Sequence, residues 1–250
     1  MTLPATIITS LAPLGKLRFA INLGNPILAR ASDDSERPFG ISVDIATELA
    51  KRLAVPIEFV ILDAAAKSVD AVAKHQADVG FFAVDPVRAA DVAFTEPYLL
   101  IEGCYLVGND SHITTNEQVD TPGNRVMVGA GSAYDLFLTR TLKHAPIVRA
   151  RTSPAVVETY LEQGVEVAAG VRQQLEADVK RHQNLRVLDA PFMVIRQAVG
   201  VAQAKGPHVL RYLDGFIDEL KASGAIKKMV ERHGIEGASP ASIAGRRITE

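Results

Sequence analysis

Cysteine is almost absent from this chain of 250 residues, which has one cysteine and no tryptophan. The single cysteine, Cys104, excludes an internal disulfide and a cysteine-rich zinc site. It lies in an apolar run at 101–107 and is predicted to be a small core residue. The six histidines are scattered and form no HExxH motif, so we predict no metal site. No serine stands in a nucleophile elbow, and we predict no catalytic residue and no cofactor.

The chain also lacks a long hydrophobic run and a strong net charge. No segment reaches the apolar length needed to span a bilayer. The formal net charge of -2 gives no electrostatic reason to bind nucleic acid or an anionic membrane. The N-terminus has no basic region, and Pro4 and Pro13 interrupt its apolar part, so we do not interpret it as a signal peptide. We therefore expect either a cytoplasmic protein or a mature form whose leader has been removed.

Predicted strands and helices alternate along the sequence twice over, which is typical of α/β proteins. The first series includes strands at 17–22, 57–62 and 79–84. The second series lies between two longer strands, at 99–107 and 194–202. We predict a discontinuous first lobe, residues 1–102 plus 194–250, and an inserted second lobe, residues 103–193. Two lobes joined by two crossing strands predict a cleft that closes by hinge motion.

The most informative stretch is PVRAADVAFTEPY at 86–98, which places Arg88 just after the predicted strand at 79–84. An arginine beyond the carboxyl end of a buried strand stands where open α/β sheets bind ligands. Its planar guanidinium suits a carboxylate held by two parallel hydrogen bonds. The alternative is a surface arginine that pairs with Asp91 or Glu96.

Several segments, taken in their order, carry a resemblance to a known family. They are LRFAIN at 17–22, FGISVDIATELAKRL at 39–53, QADVGFFAVDPVRAADVAFTEPYLL at 76–100, VMVGAGSAYD at 126–135, QGVEVAAGVRQ at 163–173 and a closing helix pair that ends KASGAIKKMVERHG. Together they resemble the periplasmic solute-binding proteins of ABC importers, family 3, the polar amino-acid-binding type. The resemblance extends from about residue 16 to residue 234.

The resemblance implies a two-lobe fold of the type II periplasmic-binding-protein kind, in which two crossing strands form the hinge. It implies a substrate-binding component of an ABC importer, without enzyme activity, that captures a small carboxylate-bearing solute between its lobes. That solute is amino-acid-like or an organic acid. The implied partner, if the protein is exported, is an inner-membrane permease. A periplasmic monomer that binds no nucleic acid is expected.

The family pattern assigns roles to four residues of the first lobe. Arg88 falls on the arginine that binds the ligand's carboxylate. Ala83 takes a place often filled by serine or threonine, which removes a hydroxyl and leaves a backbone N–H. Asn22 follows the first strand, where the family places residues over the ligand, but asparagine is also typical of turns. Asp85 has two interpretations, an acid that receives a donor from the ligand or a cap of the Arg88 turn.

In the second lobe, Ser132 and Ala133 match the loop whose backbone amides bind the same carboxylate at a helix N-terminus, a favourable place for an anion. Tyr134 is a candidate lid, and because it replaces the third glycine of a dinucleotide fingerprint we predict no nucleotide site. Arg172 stands where amino-acid binders keep an aspartate for the ligand's ammonium. If Arg172 faces the ligand, repulsion disfavours an ammonium, and the expected ligand is a dicarboxylate, a keto acid or an N-blocked amino acid. The alternative is that Arg172 points outward and pairs with Glu176.

Two other functions are compatible with the same resemblance. Cyclohexadienyl and arogenate dehydratases look like family 3 proteins, and their chemistry needs a general acid, for which Asp85 is the candidate. The second alternative is a ligand-binding sensor domain that is not exported, which a native start at Met1 would favour.

Overall fold

The structure is a computed structural model that describes residues 5–32 and 37–243. Within these ranges it contains eight α-helices and eleven β-strands. The helices are α1 (Ala5–Leu11), α2 (Ile41–Leu53), α3 (Ala65–Ala73), α4 (Ala133–Thr141), α5 (Val156–Gln163), α6 (Arg172–Arg181), α7 (Pro207–Ala222) and α8 (Ala225–Arg232). The strands are β1 (Leu17–Asn22), β2 (Ile57–Leu62), β3 (Val79–Ala83), β4 (Val92–Phe94), β5 (Leu99–Gly108), β6 (Val126–Gly129), β7 (Ile147–Ala150), β8 (Val167–Val171), β9 (Leu185–Val187), β10 (Met193–Ala202) and β11 (Ser239–Pro240).

The chain separates into two compact units. Unit one is formed by Met1–Leu100 together with Arg196–Glu250, and unit two by Ile101–Ile195. The strands β5 and β10 each contain residues of both units, so the chain passes between the units within these two strands. The expected α/β class, with two crossing strands, is confirmed.

Unit one is built on a mainly parallel group of strands. β1 lies between β2 and β3 and pairs parallel with both, while β10 pairs antiparallel with β3. Every residue of β3 is buried, as are Phe19 and Ile21 of β1, which explains why both strands appear in the sequence as apolar runs. The carboxyl ends of β1 and β3 lie at the edge of the sheet where α/β proteins collect ligand-binding groups.

Two glycines of this sheet make room for an aromatic ring. A Cβ atom on Gly80 of β3 would lie 2.2 Å from the ring of Phe82, and one on Gly200 of β10 would lie 2.6 Å from it. Both distances are shorter than real contacts allow, so a side chain at either glycine would displace the ring. Phe82 thereby packs on the face of the sheet that carries α3, together with Val72.

A buried ion-pair network holds α1, which the sequence pattern did not predict, against unit one. Asp78 is 1% exposed and accepts hydrogen bonds from Nε and Nη2 of Arg18 at 2.9 and 3.0 Å. Nζ of Lys205 lies 3.4 Å from the same carboxylate and donates to the carbonyl of Ser10 in α1 at 2.6 Å. Burial lowers the pKa of Lys205, an effect that Asp78 opposes.

Unit two repeats the α/β pattern. β6 lies between β7 and β8 and pairs parallel with both, and β5 pairs antiparallel with β8 and β9. The core of the unit includes Leu106, Met127, Val157 and Leu175. Helix α5 ends at Gly164, whose φ of 56° is the left-handed conformation that glycine adopts without strain.

Candidate functional site

Arg88 begins a short 3-10 helix (Arg88–Ala90) after β3. It is 5% exposed, so the interpretation as a surface arginine is wrong. Its Nη1 donates a hydrogen bond to the carbonyl of Ala83 at 3.1 Å. Burial lowers the pKa of Arg88 to about 10, and the nearby Asp85 opposes this shift. The electrostatic attraction between an anion and a guanidinium removed from water in this way is stronger than that between an anion and a surface guanidinium.

Asp85 is buried and closes the turn that carries Arg88. Its Oδ1 accepts the backbone N–H of Val87 at 2.8 Å, and its carbonyl accepts the N–H of Ala89 at 3.0 Å. Of its two interpretations, the structure therefore shows the cap directly. Its negative charge also lies close enough to Arg88 to act on the pKa of that residue.

Ala83 is the last residue of β3 and is paired with Gln197 of β10. The N–H of Val84 donates to the carbonyl of Arg196 at 2.8 Å, which makes Ala83 and Gln197 a non-hydrogen-bonded pair. The carbonyl of Ala83 therefore points away from β10, and there it accepts the hydrogen bond from Arg88. Ala83, Asp85 and Arg88 are thus brought together at one end of β3.

Asn22, at the end of β1, forms a turn. Its Oδ1 accepts the N–H of Gly24 at 2.9 Å. A Cβ atom on Gly24 would lie 2.9 Å from the same oxygen, and 2.5 Å from the carbonyl oxygen of Asp63, which explains why glycine follows. The oxygen of Asn22 is committed to this turn, while its ligand-binding role stays a prediction.

In unit two, Ser132 caps helix α4. Its Oγ accepts the N–H of Asp135 at 3.0 Å, and its own N–H donates to the carbonyl of Gly129 at 3.1 Å. Asp135 in turn accepts the N–H of Gly131 at 2.8 Å. The amide of Ser132 is thus already bonded within the loop, whereas Ala133 opens the helix, where N–H groups have no carbonyl of the preceding turn to bind.

Tyr134, in the first turn of α4, is 2% exposed. Burial raises the pKa of its hydroxyl, and the neighbouring Ser153, Ser132 and Gly129 carbonyl oppose this shift. Tyr134 is thus about as deeply buried as Arg88, and its role as a lid stays a prediction.

Arg172 is the first residue of α6 and already has anionic neighbours in its own unit. Its Nε donates to Oε2 of Glu102, its Nη2 donates to the carbonyl of Asp189, and its Nη1 lies 3.7 Å from Glu176. Burial is the largest single influence on the pKa of Arg172 and lowers it, but the hydrogen bond from Arg172 to Glu102 and the nearby charges together outweigh burial, and the net shift is upward. The pair with Glu176, expected if Arg172 points outward, is present, while the contact of Arg172 with a ligand stays a prediction.

Sequence reasoning missed two residues beside these groups. Glu102 pairs with Arg172 across 70 positions of the chain, and Gln197 lies opposite Ala83. No motif marks either residue, because their partners are fixed by the pairing of strands far apart in sequence. Among the described residues, no group of three or more His, Cys, Asp or Glu is placed to hold a metal ion. No described helix is both long and apolar enough to cross a membrane.

Two α/β units linked by two crossing strands, with a buried arginine after a parallel strand, define the class of type II periplasmic binding proteins. The chain belongs to the bacterial extracellular solute-binding proteins, family 3, whose family model matches residues 17–236. No curated protein matches the sequence significantly.

Solved structures of this class share the fold at low identity. The solute receptor for L-cysteine of Neisseria gonorrhoeae has a TM-score of 0.78 and 22% identity, over 92% of this chain and 94% of that one. The arginine-bound AbpA of an amino-acid ABC transporter from Streptococcus pneumoniae has a TM-score of 0.77 and 18% identity, over 90% and 97%. AncCDT-1 is an ancestral amino-acid-binding protein and a precursor of cyclohexadienyl dehydratase. It has a TM-score of 0.75 and 19% identity, over 90% of this chain and 98% of that one.

Proposed function

We propose that this protein is the substrate-binding component of an ABC importer and that its ligand is a small amino acid. The observation that carries the proposal is Arg88, a buried guanidinium at the end of β3. A buried cation of this kind is costly to the fold unless it has anionic partners. In the proposal, the ligand's carboxylate is such a partner.

Charge balance favours a zwitterion over a simple organic acid. Arg88 and Asp85 are both buried and together carry no net charge. A ligand carboxylate bound to Arg88 adds one negative charge to a desolvated site, and an ammonium on the same ligand cancels it. The argument for an organic acid depended on a free cation at Arg172, which Glu102 and Glu176 already approach.

Support also comes from the comparisons, since family membership agrees with solute binding and the neighbours named above are described as receptors of amino acids. In the proposal, the protein acts outside the cytoplasm as a monomer, closes by hinge motion at the crossing strands and delivers its ligand to a membrane permease. Catalysis is the weaker alternative, because Asp85, the candidate general acid, caps the Arg88 turn through Oδ1, which accepts the N–H of Val87.

A thermal-shift screen tests the proposal. The panel contains the twenty standard L-amino acids. It also contains dicarboxylates and keto acids, which represent the alternative ligand class. A ligand at about 100 times its Kd stabilises the folded state by about 2.7 kcal/mol. In a chain of this size that raises the melting temperature by about 5–11 °C. A shift with organic acids and none with amino acids would contradict the proposed ligand class.

A further inference from the structure

Gln197 of β10 is a buried amide with one open hydrogen-bonding position. The residue is 3% exposed. Its side-chain oxygen Oε1 is fully buried and has no hydrogen-bond partner within residues 5–32 and 37–243. Its backbone is satisfied in the sheet, where its carbonyl accepts the N–H of Tyr98 at 2.8 Å. An unsatisfied buried acceptor is costly to stability, and in native proteins such groups require an explanation.

The position of Gln197 links this acceptor to the Arg88 turn. Gln197 and Ala83 face each other as a non-hydrogen-bonded pair, for which the Cα atoms lie about 4.5 Å apart and the two side chains share one face of the sheet. The carbonyl of Ala83 is the group that Arg88 contacts at 3.1 Å. Because Ala83 has only a methyl side chain, nothing larger projects from that strand position beside the Gln197 amide.

We infer that Gln197 is a specificity-determining residue whose side-chain carbonyl accepts an N–H from the ligand held at Arg88. The inference rests on the proposed function and adds the group that binds the ligand's amine. A guanidinium bound to the Ala83 carbonyl and a neutral acceptor at the strand position opposite Ala83 suit a molecule that carries both a carboxylate and an N–H donor. A 2-amino acid has this chemistry, and the corresponding acid without the amine does not.

The structure predicts opposite effects of one substitution on stability and on binding. Gln197→Met keeps the length of the side chain and removes the unsatisfied oxygen. We therefore expect the unliganded protein to melt at an equal or higher temperature, by about 2–4 °C for each kcal/mol recovered. The affinity for an amino acid is expected to fall by at least about tenfold, equivalent to about 1.4 kcal/mol. A merely structural glutamine would lose stability instead.

The experiment measures melting temperature and affinity for wild type, Gln197→Met, Gln197→Glu and the control Gln76→Met. Gln76 is an exposed glutamine of the same unit, so its substitution should change neither quantity. Gln197→Glu keeps an acceptor and should retain amino-acid binding. The probes are the twenty standard L-amino acids and the analogues that lack the α-amine, such as 3-mercaptopropionate for cysteine and 5-guanidinopentanoate for arginine.

The inference is supported if an amino acid binds wild type, its analogue without the amine binds at least about tenfold more weakly, and Gln197→Met removes most of this discrimination. It is overturned, with the proposed function intact, if Gln197→Met binds the amino acid within about threefold of wild type while Arg88→Met does not bind it. It is overturned together with the proposed ligand class if no amino acid binds wild type.

Discussion

Asp135 is predicted to hold the loop before α4 in place, and its removal should destabilise unit two. The carboxylate is 4% exposed and accepts the N–H of Gly131 at 2.8 Å and Oγ1 of Thr139 at 3.1 Å. Nε of Arg149 lies 3.1 Å from both of its oxygens. Asp135 also lies in the first turn of α4, where a negative charge is favourable.

The expected loss in free energy of unfolding follows from how deeply each contact of Asp135 is buried. Arg149 has a side chain that is 45% exposed, so its ion pair counts as a surface pair of about 0–1 kcal/mol. Leaving the N–H of Gly131 without its acceptor costs about 1–3 kcal/mol. We therefore expect Asp135→Ala to lower the free energy of unfolding by about 1–4 kcal/mol.

The assay is urea denaturation followed by circular dichroism, together with amide hydrogen exchange at Gly131 and Ser132. Asp70→Ala is the matched control, because Asp70 pairs with Lys74 through side chains that are both 64% exposed, and it should change stability by less than about 0.5 kcal/mol. The reasoning is refuted if Asp135→Ala behaves like this control and the two loop amides keep their protection.

Two further predictions concern titratable groups. The hydrogen bond from Arg125 lowers the pKa of Glu166, so this stabilisation is complete above the unfolded pKa of about 4.3 and disappears as the pH falls through the folded value. Glu166→Gln should therefore be less stable than wild type in urea at pH 7, and this difference should shrink at about pH 3; an equal difference at both pH values would contradict the assignment. Burial raises the pKa of the Cys104 thiol to about 11, so it should react with a disulfide reagent at pH 8 only after unfolding; rapid reaction of the native protein would contradict its burial.

Local patterns predicted the elements of the fold well where one face of the chain had to be buried. The strands at 17–22 and 57–62 agree with β1 and β2, because alternation and apolar runs depend on neighbouring residues alone. The start of α2 was harder to predict. Serine is a favoured helix cap, but Ser42 lies inside the helix, and the cap position is taken by Gly40 with φ of 133°. A Cβ atom on Gly40 would lie 2.4 Å from the carbonyl oxygen of Leu28, a tertiary contact that no local pattern contains.

The candidate site was predictable in part for the same reason. Arg88 could be found because its position after β3 is a local feature, and Ser132 because its segment matches the family pattern. The pairing of Arg172 with Glu102 could not be found, since Glu102 reaches Arg172 only through the pairing of β5 with β8. Gln197 is likewise placed by the β3–β10 register, more than 100 positions from Ala83 in sequence.

Isothermal titration calorimetry on wild type and Arg88→Met, with the amino acid that the thermal-shift screen identifies, tests the central claim most directly. Losing the charged partner of a buried carboxylate costs about 2–5 kcal/mol, which lowers affinity by about 30-fold to several thousand-fold. Arg211→Met, at an exposed arginine of the same unit, should bind as wild type does. The account predicts that Arg88→Met stays folded and loses the ligand, and it is contradicted if the folded variant binds within about threefold of wild type.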